Sequence, residues 1–393
     1  MAKRGGFIGQ DGINAPDPAT GVEASAGDGQ AEVSFTTPSD QGGADITEYR
    51  VTDSTGAHGA TGSSSPITVT GLTNGASYTF NVWAINPFGW SSSSDASEGV
   101  TPAVPVIGLF AGGYDAGNSY VNTIDRVVIG TPANATDFGD LTVARRFAAG
   151  CSSSTRGIFG AGFNGSNLNT IDYVTIASAG NATDFGNCTV TVQGRGACSS
   201  STRGVFAGGG TSDTLTIDYV TIASTGNATF FGNLTQYRYL LAGCSSPTRG
   251  VFGGGTKDGV RRNFIDYITI ASTGNATDFG DLTIATSNLG ACSSSTRGLF
   301  IGGRDRGTTI DYITIASTGN ATDFGDCAWF ADGSAASSST YGVFGGQTTE
   351  GGDASNQIQT VAIASLGNAS DFGDLTVTRY GAAACSSGHG GLS

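Results

Sequence analysis

Two histidines, seven cysteines and one recurring aspartate are the residues of this 393-residue chain whose types could carry chemistry. His58 sits among Gly and Ser and reads as a solvated loop residue. His389 has no Cys or Asp neighbour that would make it a base. One histidine lies on each side of residue 104, so a two-histidine metal centre in the C-terminal part is excluded. Cys151, Cys198, Cys244, Cys292 and Cys385 recur in one phrase, and Ala336 replaces the cysteine in another copy. Exchange with Ala predicts a small buried site rather than a ligand. Cys188 and Cys327 fall outside that phrase. An odd count without Cys-x-x-Cys spacing predicts reduced thiols, and no metal or cofactor is expected. Asp125, Asp172, Asp218, Asp266 and Asp311 also share one phrase, with Gln359 in its sixth copy; a structural role bonding neighbouring backbone is expected. Turn aspartates of the Asp137 type are conceivable calcium donors, but Phe230 replaces one of them.

The elements that position these residues are legible as a tandem repeat. Gly-(apolar)-Phe begins at Gly108, Gly157, Gly204, Gly250, Gly298 and Gly342, with spacings of 49, 47, 46, 48 and 44. Each copy reads as four short strands: an inner Ala-Cys-Ser-Ser phrase, then Gly-(apolar)-Phe, then Thr-Ile-Asp-Tyr, then the segment after Gly-Asn-Ala-Thr. The Asn-Ala-Thr/Ser phrases at Asn134, Asn181, Asn227, Asn275, Asn320 and Asn368 are formal glycosylation acceptors, but their repetition in one turn favours a structural role. The copy Ala383-Ala-Cys-Ser-Ser stands at the far end, while no such phrase precedes Gly108; the last strand is therefore expected to pair with the first repeat.

Antiparallel strands place the nearly constant turns at one end of each sheet and the differing loops at the other. The differing loops hold Arg145, Arg146, Arg195, Tyr237, Arg238, Tyr239, Trp329, Phe330, Arg379 and Tyr380. Arginines and aromatics are the types that dominate binding hot spots, so these ten are the candidate ligand-binding residues.

Composition agrees with an all-β chain. Glycine numbers 64 and charged residues make up only 13%, which excludes a coiled coil and a polyelectrolyte. The net charge of −14 offers no basic stripe for nucleic acid. No apolar run is long enough to insert in a membrane, and Met1–Gln10 lacks the apolar core of a secretion signal.

Three parts are expected: an arm (1–14), a sandwich (15–103) and the repeats (104–393). In the middle part Ala31–Phe35, Ile46–Val51, Ile67–Leu72 and Ser77–Ala84 alternate as strands. Gly71-Leu-Thr-Asn-Gly-Ala-Ser-Tyr78, Val82-Trp-Ala-Ile-Asn86, Gly89 and Val100-Thr-Pro102 make this segment resemble a fibronectin type III domain. The resemblance implies that Tyr78 is a corner tyrosine bonding back to backbone and that Phe35 stands where the family carries a core tryptophan. The repeats resemble kelch motifs through the doublets Gly112-Gly113, Gly208-Gly209, Gly302-Gly303 and Gly345-Gly346. Phe138, Phe185, Phe279, Phe324 and Phe372 stand in place of the family's later tryptophan, and Gly160-Ala-Gly162 replaces one doublet. That likeness implies a six-bladed propeller with these Phe rings between blades. The linker then delivers the sandwich to the constant-turn end.

Together the parts resemble structural proteins of tailed phages of marine bacteria. The likeness implies a non-enzymatic virion surface protein of the tail-fibre or adhesin type, made in the host cytoplasm. Lys3, Arg4, Phe7 and Ile8 of the arm, with the sandwich, would dock on other virion proteins. The varied loops would meet a host-surface glycan or protein, and homo-oligomerisation on the particle is compatible. Two alternatives stand beside it: a stabilising capsid or neck decoration, and a polysaccharide hydrolase or lyase, for which no paired-carboxylate signal stands out.

Overall fold

The computed structural model describes residues 13–210, 214–305 and 307–392. Among them every regular element is a strand. The chain divides into two compact units, Met1–Pro105 and Val106–Ser393.

In the first unit alternating sequences make half-buried strands. Gln30–Thr36 turns Ala31, Val33 and Phe35 inward, and Phe80–Asn86 turns Phe80, Val82 and Ala84 inward. Thr20–Gly27, Gln30–Thr36 and Ile67–Thr70 form one sheet; Gly59–Gly62, Glu48–Asp53, Phe80–Asn86 and Gly89–Trp90 form the other. Phe35 is in the shared core, tilted on Tyr49 with ring centroids 4.7 Å apart. The Tyr78 hydroxyl accepts from the Thr73 backbone N–H at 3.0 Å, the corner bond expected. Beyond the last strand, Ser91, Ser94 and Ser97 hold an irregular segment against Phe80–Asn86. Their hydroxyls accept from the Ala84, Val82 and Phe80 N–H groups at 2.9, 2.9 and 3.0 Å. His58 departs from the solvated-loop expectation: its Nδ1 meets Asp53 Oδ2 at 2.9 Å. Asp53 is nearly inaccessible, and a buried carboxylate requires a partner.

In the second unit each repeat contributes antiparallel strands. The second repeat is Ala149–Ser152, Arg156–Gly160, Leu168–Thr175 and Thr183–Val192 in that order. The third, fourth and fifth follow it, the fourth with an added Thr256–Lys257 hairpin arm. The first and sixth repeats share one eight-stranded sheet, joined where Arg379 and Tyr380 pair with Asp115 and Tyr114. Ala383–Ser386 pairs with Ile107–Asp115, Cys385 opposite Leu109.

Packing joins each repeat to the next. Phe185 of the second repeat packs with Phe206, Val220 and Ile222 of the third. The last repeat does the same to the first, with Phe372 against Phe110, Val127 and Ile129. Each Asn of the Asn-Ala-Thr turns accepts a backbone N–H from the repeat before it, from Asp140 N–H to Asn181 Oδ1 (3.1 Å) round to Asp374 N–H to Asn134 Oδ1 (3.1 Å). All seven cysteines are buried and none is in a disulfide. Burial pushes the Cys292 and Cys385 thiols up to about 12. The recurring cysteine explains the glycine of Gly-(apolar)-Phe: a Cβ on Gly204 would lie 2.6 Å from Cys151 Sγ of the preceding copy.

Candidate functional site

The loops between strands diverge, yet their roots are fixed by a buried charge pair that crosses from one repeat to the next. Arg145 Nη1 lies 2.9 Å from Asp172 Oδ2, and its Nη2 donates to the Phe159 carbonyl at 3.1 Å. Arg195 pairs with Asp218 at 2.7 Å, Arg238 with Asp266 at 3.1 Å and Arg379 with Asp125 at 3.1 Å. Each of these aspartates also accepts the N–H and hydroxyl of a threonine, as Asp266 does from Thr235 at 3.2 and 2.6 Å. The backbone role expected for the recurring aspartate is therefore present, with an arginine added. Burial pulls the Arg145, Arg238 and Arg379 guanidiniums below the usual arginine range, and the facing aspartates oppose it.

This corrects half of the expected binding surface. Arg145, Arg195, Arg238 and Arg379 have side chains with no access to solvent, because a carboxylate buried in the next repeat draws each guanidinium inward. Phe330 is fully buried too, edge-on to Phe344 at 5.3 Å. It stands six residues before Ala336, the position that Arg145, Arg238 and Arg379 hold before their inner-strand cysteines (Arg195 lies three before Cys198), and in its repeat Gln359 replaces the Asp. Cation and anion are lost together.

Two residues further along the chain each repeat adopts a left-handed backbone. Phe147, Leu240, Asn288 and Asp332 have φ of 55°, 58°, 62° and 59°, and Gly194 and Gly381 fill the same station at 66° and 73°. Their backbones bond in a cycle: Phe147 N–H to Gly381 O (2.7 Å), Gly194 to Phe147, Leu240 to Gly194, Asn288 to Leu240, Asp332 to Asn288, and Gly381 to Asp332. Non-glycine residues held in this region carry strain that the surroundings must impose. Their side chains and the inner strands line a cavity of about 100 Å³.

Outside this rim lies a larger cavity of about 500 Å³, lined by Arg146, Phe147, Tyr239, Arg261, Asn288, Arg304, Asp332 and Tyr380 among others. Arg146 is its most constrained member. The guanidinium lies 4.8 Å from the Tyr114 ring centroid, 4.9 Å from Phe147, 5.6 Å from Tyr380, 5.8 Å from Phe163 and 5.9 Å from Tyr120. Its Nη1 donates to the Tyr380 hydroxyl at 2.7 Å. Asp332 is bonded by Arg304 at 2.7 Å and by the Asn288 amide. Burial raises its carboxyl above the usual range, and Arg304 and Asn288 pull it back. A second cavity of about 320 Å³ shares Arg261, Arg304 and Tyr380 and adds Trp329, whose ring lies against Gly307.

Of the expected residues, the structure thus brings together Arg146, Tyr239 and Tyr380, with Trp329 next to them. Tyr237 lines neither cavity; its hydroxyl donates to Asp258, and Lys257 Nζ lies 5.1 Å from its ring. Lys3, Arg4, Phe7 and Ile8 lie outside the described residues. The ten candidates left out Tyr114, Tyr120, Phe147 and Phe163 around Arg146, and Asn288, Arg304 and Asp332 at the rim, although the differing loops of the sequence include Tyr114, Tyr120, Phe163, Asn288 and Arg304.

The opposite end of the inner strands is uniform. Six serine hydroxyls donate to the carbonyl of the corresponding serine one copy back: Ser152 to Ser386 (2.6 Å), Ser199 to Ser152 (2.9 Å), and so on through Ser245, Ser293 and Ser337 to Ser386. His389 sits against them, its Nε2 3.0 Å from Ser152 O and 3.1 Å from Ser199 Oγ, while its Nδ1 accepts from Gly391 N–H at 3.0 Å. Burial lowers its imidazole to about 4. Its ring nitrogens are occupied by structural bonds. Among the described residues no group of three or more His, Cys, Asp or Glu is arranged to hold a metal.

Residues 16–100 match the fibronectin type III domain family. No curated protein matches the chain.

Proposed function

We propose that residues 106–393 close into a six-bladed, kelch-like β-propeller, and that the protein is a non-enzymatic attachment protein of a phage particle. In this reading residues 1–103 dock on other virion proteins, and the varied loops present their cavities to a host-surface glycan or protein. Closure is supported by three cyclic sets of hydrogen bonds, at the serines, the turn asparagines and the left-handed rim, none of which has a first or last member. A linear stack would leave its terminal copies unbonded.

The observation that carries the binding reading is the cavity of about 500 Å³ at the varied end, within the range of ligand sites and walled by tyrosine and arginine. Its lining contains one carboxylate, Asp332, already bonded to Arg304 and Asn288; glycoside hydrolysis by the usual route requires two. Binding is therefore favoured over cleavage. The test is a host-glycan array and a host-cell adsorption assay with the full chain, repeated with Tyr239→Ala and Trp329→Ala. Retained binding that both substitutions weaken is expected. No binding to any host surface, or binding indifferent to both, would overturn the reading. A density map showing the repeats as an open line would overturn the propeller.

A further inference from the structure

The larger cavity is charged against the trend of its own unit. Residues 104–393 hold 15 basic and 21 acidic side chains. Four of the arginines are buried against aspartates. Four more, at the constant turns, lie over tyrosine rings and donate to carbonyls of the next repeat, as Arg156 does over Tyr173 and to Ile222 O. Of the seven basic residues left, three line one cavity: Arg146, Arg261 and Arg304.

The three differ in what neutralises them: Arg304 is paired with the buried Asp332 at 2.7 Å, Arg261 with an exposed carboxylate, and Arg146 with none in contact among the described residues. Asp332 is the one carboxylate in the lining, and its side chain is 1% exposed and already bonded. Arg261 pairs with Asp305 at 2.5 Å, but both side chains are open to water, 38% and 51% exposed, and such pairs are readily exchanged. Arg146 has no carboxylate within ion-pairing distance among the described residues. Five aromatic rings and the Tyr380 hydroxyl nevertheless hold its guanidinium in place. An arginine fixed in this way has already lost its rotamer freedom and makes no ion pair of its own among the described residues, Asp332 acting on it from beyond pairing distance. Guanidinium forks complement carboxylate and sulfate groups, forming paired, charge-assisted hydrogen bonds. Tyr239 and Tyr380, in the same lining, supply amphipathic surface for a sugar ring.

We infer that this cavity recognises an acidic saccharide, whose carboxylate or sulfate group is bound by Arg146 with Arg261 and Arg304 beside it. The inference rests on the attachment reading above and names the ligand class of that site.

The test uses the full chain against matched neutral, uronate-bearing and sulfated oligosaccharides at low and high salt. Acidic members should bind more tightly than neutral ones, and salt should weaken them. Arg146→Gln should weaken acidic binding roughly tenfold to a hundredfold, with Arg146→Lys intermediate. The uronate and sulfate arms separate the two sources of charge. If Arg146→Gln fails to fold, Arg261→Gln decides, because its exposed side chain is not part of the packing; a several-fold loss is expected. Equal binding of neutral and acidic sugars, or acidic binding unchanged by Arg261→Gln and salt, would overturn the acidic assignment and leave attachment standing. Failure to bind any glycan or host surface would remove both.

Discussion

Substituting Asp266 tests whether the buried charge pairs hold one repeat to the next. Arg238 Nη1 and Asp266 Oδ2 are 3.1 Å apart and wholly buried. At an effective dielectric of about 20 their attraction is about 5 kcal/mol, offset by several kcal/mol of desolvation for each ion. The pair as a whole is therefore worth little, while either member alone is costly. Asp266→Gln should strand the guanidinium and destabilise the second unit by about 3–5 kcal/mol. For a unit of this size that is a fall in melting temperature on the order of 10 °C. Arg238→Phe should cost a similar amount by stranding the aspartate. The double variant reproduces the Phe330 and Gln359 combination two repeats later, and should recover most of the loss. A double-mutant cycle followed by calorimetry measures the coupling, with the fibronectin-like unit as an internal control. Losses that simply add, or an Asp266→Gln cost below about 1 kcal/mol, would refute the reasoning.

Three further outcomes follow from geometry already described. The His389 imidazole is lowered to about 4 from 6.5, so between those values the unfolded state binds more protons than the folded one. Stability conferred by the Ser387–Leu392 segment is thus full above pH 6.5 and falls as pH drops towards 4; hydrogen exchange should show the segment releasing across that window, and His389→Gln should flatten the dependence. Gly204→Ala should cost about 1–3 kcal/mol by driving a methyl against Cys151 Sγ, and Cys151→Ala should restore most of it in thermal unfolding. Ser94→Ala should leave the Val82 N–H without its side-chain acceptor and lower the midpoint of the fibronectin-like unit by about 1 kcal/mol, read by urea titration.

Much of the fold was legible because the chain states it several times over. The strand phrases recur, and the displaced copy at Ala383–Ser386 announced its pairing with Ile107–Asp115. In the first unit Ala31–Phe35 and Ile67–Leu72 alternate openly, so their strands fall where expected within a residue or two. The Ser91–Ser97 segment escaped notice because its signal is a period of three hydroxyls with little hydrophobicity. The buried arginines were misread from residue type alone. Their signal lay in the partner: a buried aspartate recurs in five copies and four of these face an arginine, while the copy with Gln359 carries Phe330 at the arginine position. The left-handed station was half visible in Gly194, Asn288, Asp332 and Gly381, types that tolerate positive φ, but Phe147 and Leu240 hid the pattern. The cage around Arg146 was beyond reach. Tyr114 and Tyr120 face each other across one hairpin, but Phe163 and Tyr380 come from other repeats, and their convergence depends on packing between distant parts of the chain.

The left-handed rim has a consequence for how this surface can change. Each rim residue commits both its amide and its carbonyl to its two neighbours, so every station is held by main chain, with one side-chain bond, Asn288 to Asp332, added. Where a station carries glycine or leucine, as at Gly194, Leu240 and Gly381, the backbone bonds are the same as where it carries Asn288 or Asp332, so the rim does not depend on one kind of side chain. Such a frame tolerates wholesale exchange of its ornaments, and new specificities can be grafted one station at a time without retuning the rest.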